Sequence, residues 1–292
     1  MKKIMRLISV LIFLLANSSL AGAEQNHSIA EIFSPYAQIL KEYLVEKKLD
    51  NGGLVAAFRY REAMADPGTL ELINDQKQRL REFNIEILES REKAISFWLN
   101  AYNFFMLAHI LENPKNGGEL VDSVRDYGIR INPYRVFKQN IFAVGNQKYS
   151  LSQIEKDILL GDEYQARGWK EARVHFAVNC ASVGCPPLRA EIYTPDNVDV
   201  LMTENTRKAL KTARHFNLSD DALYLSQLFE WYTDDYVDEA GSVKSFLKQY
   251  TDSSIHQRIE QSTDINYIDY DWSLNEPQNF PEFSRISLNL IE

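Results

Sequence analysis

The sequence predicts an α+β fold, with helices around a small, mostly antiparallel sheet and a buried central helix at about 91–112. Three observations carry this. Stretches with helical spacing come first and short strand-like runs cluster later, an order that favours α+β over an alternating parallel sheet. The stretch 95–111 is apolar nearly all round, which suits a helix enclosed on every side. No proline- or glycine-rich linker divides residues 24–292, so they are expected to form a single globular domain.

The elements follow in order. Residues 1–23 have the pattern of a signal peptide: Lys2, Lys3 and Arg6, then an apolar run from Leu7 to Leu15, then the small residues Ala21, Gly22 and Ala23. Cleavage after Ala23 and a periplasmic or secreted location are expected. The apolar run is too short to span a bilayer, so no transmembrane segment is expected in the mature chain. Ile29, Ile32, Phe33, Tyr36, Ile39, Leu40, Tyr43 and Leu44 repeat at helical spacing and predict a helix over 29–48. Asp66, Pro67 and Gly68 open a more polar helix over 69–83.

Inside the central helix, Asn100 and Asn103 sit three apart on neighbouring faces. A buried amide without a partner costs about 1–3 kcal/mol. Their partner is either the backbone of a neighbouring loop or a polar cluster at an active site. Asn113 and Pro114 end the helix, and Asn116, Gly117 and Gly118 continue as loop. Residues 141–144 and 148–151, joined through Gly145 and Asn146, predict a β-hairpin. Ser152 and Glu155 have the spacing of a capping box that opens a short helix to about Leu160. Residues 174–179 read as a buried strand. Thr194 as N-cap and Pro195 at the first helical position start a helix to about 213. Residues 222–226 read as a strand and 229–236 as an aromatic-rich helix. Tyr267, Ile268, Tyr270 and Trp272 suggest an extended segment packing back, and from Asn275 the chain reads as a loose tail.

Charge limits the partners. The chain has 41 acidic against 32 basic residues, a net −9, and loss of residues 1–23 makes the remainder more acidic. An acidic chain gains nothing from counterion release, so nucleic acid is excluded as a partner. With 15 Tyr, 15 Phe and 4 Trp, the expected partner is a small molecule or peptide. It would lie in a pocket walled by Trp98, Tyr102 and the aromatics of 229–236. His27, His109, His215 and His256 lack metal-ligand spacing, and no metal is expected. No phosphate-binding glycine loop or G-x-S-x-G elbow is present, and no cofactor is expected. Asp234, Asp235, Asp238 and Glu239 before Gly241 lack the alternation of a calcium loop and read as a solvated acidic turn.

Cys180 and Cys185 are the two cysteines of the chain. An even count, a short loop and an exported chain favour a local disulfide. The C-x4-C spacing does not match the C-x2-C of dithiol oxidoreductases. Alternatively Cys180 is a nucleophile and His175 its base. On a strand, an odd separation puts the two on opposite faces, so they meet only if the strand ends or bulges near Asn179. Glu155 could orient His175 as a triad carboxylate does, unless the capping box explains it. Arg173 either binds an anionic group or makes a surface ion pair. Two functions therefore stay open. One is a binding or envelope-associated domain with a structural Cys180–Cys185 disulfide. The other is a cysteine-dependent hydrolase or acyltransferase on a Cys180/His175 dyad, with Glu155 or a helix asparagine in support.

Several segments share a further pattern. They are Phe97-Trp-Leu-Asn-Ala-Tyr-Asn103, Ser150-Leu-Ser-Gln-Ile-Glu155 and the block from His175 through Cys180 and Cys185 to Leu188, followed by 225–232 and 270–275. In this order, over roughly 30–275, they resemble the domain-of-unknown-function 547 family, here as an exported bacterial member. The resemblance implies no established reaction. It implies that Asn100, Asn103, Glu155, His175 and Cys180 belong to the family's motif set. The chain departs from the family's pattern at Leu160, where an arginine is frequent, and at Val55 to Phe58, where V-x-Y is frequent.

Overall fold

A computed structural model describes residues 27–115, 117–219 and 221–284. The signal-peptide segment 1–23, Asn116 of the predicted loop and residues 285–292 of the predicted tail lie outside the described residues.

The molecule is organised around the helix Arg91–Glu112, whose residues from Ala94 to Ala108 are all buried. Ser90 caps it, its hydroxyl accepting from the Lys93 N–H. By length and apolarity this helix could cross a membrane, but 94% of its apolar window is buried inside the protein, so it is a core helix. Helices Ile29–Ile32, Ser34–Tyr43 and Pro67–Glu82 cover one side. Phe33 and Tyr36 meet Phe97 and Phe104 edge-on, and Phe83 stacks on Phe97. Each such side chain, fully buried, contributes about 1.5–3 kcal/mol.

The fold class is α+β as the sequence predicts, with small, mostly antiparallel sheets. Leu44–Lys48 pairs with Leu54–Phe58 and Phe142–Val144 with Gln147–Tyr149, both antiparallel. Phe216–Ser219, Ala222–Ser226 and Asp264–Ile268 form a three-stranded sheet whose second pair is parallel. A second core gathers Phe176, Phe229, Tyr236 and Phe246 beside that sheet.

The structure corrects several sequence expectations. The helix over 29–48 stops at Tyr43, because Leu44–Lys48 is claimed by the wholly buried strand Leu54–Phe58 through a turn in which Gly52 has φ +82°. The capping box lies two residues earlier than expected. Ser150 Oγ accepts from the Gln153 N–H at 3.1 Å, and Gln153 Oε1 accepts from the Ser150 N–H at 2.9 Å. Ser152 makes no cap, and Gln153–Leu159 is π-helical. The helix expected from Thr194 begins at Val198 and ends at Ala209, with Thr194 and Pro195 in a preceding turn. The helix expected over 229–236 breaks at Tyr232 into Leu228–Trp231 and Thr233–Ala240. The acidic turn is therefore helical, and Glu239 takes the Ala172 N–H. The tail is not loose as far as it is described: Asn275 and Phe280 are buried. Helices Tyr60–Ala65, Val243–Tyr250 and His256–Gln261 were not foreseen.

The predicted strand over 174–179 is absent. Ala172–Phe176 is a 3-10 turn followed by irregular chain. Its backbone groups are taken by side-chain amides instead of a ladder. Asn103 donates to Ala177 O (2.9 Å) and accepts from the Asn179 N–H (2.7 Å). Asn205 donates to Phe176 O and Pro187 O at 2.5 and 2.9 Å. Asn100 does the same for Tyr193, at both N–H and carbonyl. A segment with its polar groups satisfied in this way needs no partner strand.

Candidate functional site

The irregular chain after Ala172 brings His175, Cys180 and Cys185 to the wall of a cavity of about 400 Å³. That size suits a small ligand. Other parts of the wall come from four further places, one of them the short helix Arg135–Lys138 with Phe137 and Lys138. The central helix supplies Tyr102, the π-helical stretch Glu155 and Lys156, and the C-terminal third Trp231, Tyr232, Tyr270 and Trp272.

His175 is the buried centre of the polar part. Its Nε2 lies 2.8 Å from Asp235 Oδ2, and its Nδ1 3.8 Å from Glu155 Oε1. Asp235 is also paired to Lys170 at 2.9 Å. Burial alone would raise the Asp235 pKa, but the hydrogen bond with His175, and then Lys170, outweigh it and bring it down to about 2. Asp235 is thus a fixed anion that accepts the hydrogen bond from His175 Nε2–H and leaves Nδ1 facing Glu155. Tyr232 stacks on the imidazole at 3.9 Å between centroids. Nδ1 is buried and has no hydrogen-bond partner among the described residues. A gap of 3.8 Å is too long for a hydrogen bond.

Glu155 is freed for this position by the shift of the capping box to Ser150 and Gln153. Extra residues in a π-helical turn frequently redirect a side chain at a functional site. Tyr102, Tyr232 and Tyr270 are all held protonated, by burial first and then by the negative charge of Glu155. The cavity floor therefore offers hydroxyl donors around one carboxylate.

Cys180 and Cys185 form a disulfide. The Cys180 N–H points at Cys185 Sγ, 2.8 Å away, and the Tyr270 hydroxyl lies 3.1 Å from both sulfurs. The loop is zipped onto the segment after Tyr270: Val183 N–H donates to Ser273 O, Gly184 N–H to Asp271 O, and Asn275 N–H to Ala181 O. Gly184 lets the loop lie close, since a Cβ would stand 3.0 Å from the Tyr270 ring.

Residues 86–209 match the family described as Protein of unknown function, DUF547. No curated protein and no solved structure matches the chain. The DUF547 region holds Tyr102, Glu155, Lys156, His175 and both cysteines. Trp231, Tyr232, Tyr270 and Trp272 of the cavity wall, and Asp235 bonded to His175, lie outside it.

The other residues singled out in the sequence are placed elsewhere. Asn100 and Asn103, in the DUF547 region, spend their amides on loop backbone, which is the loop-partner alternative considered for them. Trp98 packs between Phe97 and Tyr149 and does not line the cavity. Arg173 joins Arg91, Glu171 and Asp199 in an ion-pair network that ties the central helix to Val198–Ala209. Among the described residues no group of three or more His, Cys, Asp or Glu side chains is arranged to hold a metal ion. Sequence reasoning missed Asp235 as the partner of His175 and missed Tyr270 at the sulfurs. The signal for Tyr270 was its place in the 270–275 segment. Asp235 gave none, since one carboxylate in an acidic run looks solvated.

Proposed function

We propose that the chain binds a small molecule or peptide in the aromatic cavity, with Glu155 and His175 as its polar contacts and the Cys180–Cys185 disulfide as part of the wall. The observation that carries this is the unpartnered, buried Nδ1 of His175 facing Glu155 across a gap. Buried polar atoms are nearly always satisfied, and a ligand atom in the gap would satisfy this one. Export belongs to the same proposal: disulfides persist in oxidising compartments, and the sequence begins with the pattern of a signal peptide.

The test is a binding screen with dipeptides and small aromatic carboxylates, read by the fluorescence of Trp231 and Trp272. Glu155→Gln and His175→Ala are expected to weaken binding about 10- to 100-fold, the worth of a hydrogen bond to a charged group. Their far-UV circular dichroism should not change. Ligands that bind both variants as tightly as wild type would refute the assignment.

Cysteine-dependent acyl transfer is the alternative that one observation favours: Asp235 orients His175 in the cavity that Cys180 also lines. It requires the disulfide to open first, so that Cys180 can attack a carbonyl with His175 as base. Ester hydrolysis that appears only after reduction, and is lost in Cys180→Ser, would favour it over binding alone.

A further inference from the structure

We propose that the Cys180–Cys185 disulfide is exchange-active, and that its partner is a small thiol carrying a carboxylate, admitted through the same cavity. This rests on the cavity being a ligand site and goes beyond it, because the disulfide becomes a reacting group.

Four observations converge on it. Both cysteines line the cavity, Cys180 half-buried and Cys185 buried, so an entering thiolate meets Cys180 first. Cys185 Sγ already receives the Cys180 N–H at 2.8 Å and has the Tyr270 hydroxyl at 3.1 Å. Donors aimed at a sulfur stabilise it as a thiolate, and a stabilised thiolate leaves faster. Tyr270 is half-buried and held protonated, so it remains a donor. Third, Ala181, inside the ring closed by the disulfide, has φ +63°, a left-handed conformation that a residue with a Cβ rarely adopts. It is held there by its N–H to Asn179 Oδ1 and by the Asn275 N–H on its carbonyl. Such conformations cluster at functional sites. Fourth, Lys138 and Lys156 stand at the cavity edge, and neither has a carboxylate partner among the described residues. Lys156 Nζ lies 5.4 Å over the Tyr232 ring. Two such cations at the mouth select an anionic ligand.

The step balances without a further reagent. The thiolate form of the ligand, its proton already lost to solvent, bonds to Cys180 Sγ as the Cys180–Cys185 bond breaks. The electron pair of that bond goes to Cys185 Sγ, which leaves as a thiolate and is later protonated by solvent. One disulfide is exchanged for a mixed one, with no net oxidation or reduction.

The test uses the full oxidised protein under native conditions, with glutathione as the carboxylate-bearing probe and cysteamine as the probe lacking a carboxylate. Rapid alkylation and peptide mapping then locate the adduct. Glutathione is expected on Cys180 with Cys185 alkylated, and it should react faster than cysteamine after correction for thiolate content. The advantage should disappear in a Lys138→Ala/Lys156→Ala double variant. Tyr270→Phe, which keeps the ring and removes the donor, should slow exchange roughly tenfold, with its thermal melt confirming that it folds. A disulfide that opens only when the protein is unfolded, an adduct on Cys185, or equal rates for the two thiols would overturn the proposal. Dipeptide binding alongside an inert disulfide would sink this inference and leave the binding proposal standing.

Discussion

His175 and His215 are both enclosed, yet their surroundings differ. His175 has Asp235 on one nitrogen and Glu155 facing the other. His215 has no hydrogen-bond partner on either nitrogen among the described residues, and burial, then the charge of Arg214, push its pKa down to about 3. It is therefore neutral in the fold, whereas in the unfolded chain it takes a proton near pH 6.5. Between those values the unfolded state binds more protons, so stability must rise with pH across that window and fall on acidification. Denaturant titrations from neutral pH down to about pH 4 should show this loss. His215→Phe, which fills the site with an apolar ring, should flatten the slope. A variant with the wild-type slope would show that other groups cause it. Asp235 acts lower on the scale. Its carboxyl, near 2 in the fold and about 3.9 unfolded, contributes stability that is present above the unfolded value and lost as pH falls toward 2.

Among the elements, the segment 172–188 shows how side chains can replace a sheet. Its hydrophobic run reads as a strand, but Asn103 and Asn205 take the carbonyls and N–H groups that a strand would have paired. Asn205→Ala should leave two buried carbonyls without donors, at about 1–3 kcal/mol each. Chemical denaturation should show the loss, and Asn205→Asp should not restore it, because a carboxylate has the shape of the amide but no donor. Full stability in either variant would mean that water or the chain readily replaces the amide. A similar displacement frees Glu155. The sequence has two overlapping capping frames, Ser150 with Gln153 and Ser152 with Glu155, and their pattern alone does not rank them. The turn from the hairpin fixes Ser150 as the cap, and the π-helical turn then carries Glu155 inward.

The cavity belongs to the whole molecule. The DUF547 region supplies Glu155, His175 and both sulfurs. The C-terminal third supplies Trp231, Tyr232 and Trp272 of the aromatic wall, the Asp235 bonded to His175, and the Tyr270 that lies over the disulfide. Asn275 locks these parts together, joining Phe58, Tyr60 and Ala181 by its backbone and side chain. At this scale the proposed export has a direct check. The mature protein recovered from an expressing bacterium should begin at Glu24, and N-terminal sequencing of the periplasmic fraction should find it there. A cytoplasmic protein that retains Met1 would contradict export.

The sequence by itself determined the α+β class, the enclosed central helix, the hairpin at 142–149 and the set of residues worth watching. Each rests on local periodicity, turn chemistry or a short motif, which neighbouring residues encode. Only the tertiary structure decided that 174–179 is not a strand, that Ser150 caps in place of Ser152, that Arg173 is structural ion pairing and that Asp235 and Tyr270 complete the site. The reason is physical. Whether a buried polar group bonds to backbone, to a carboxylate or to nothing depends on atoms 60 or 90 positions away in the chain, and no local pattern records which of them arrives.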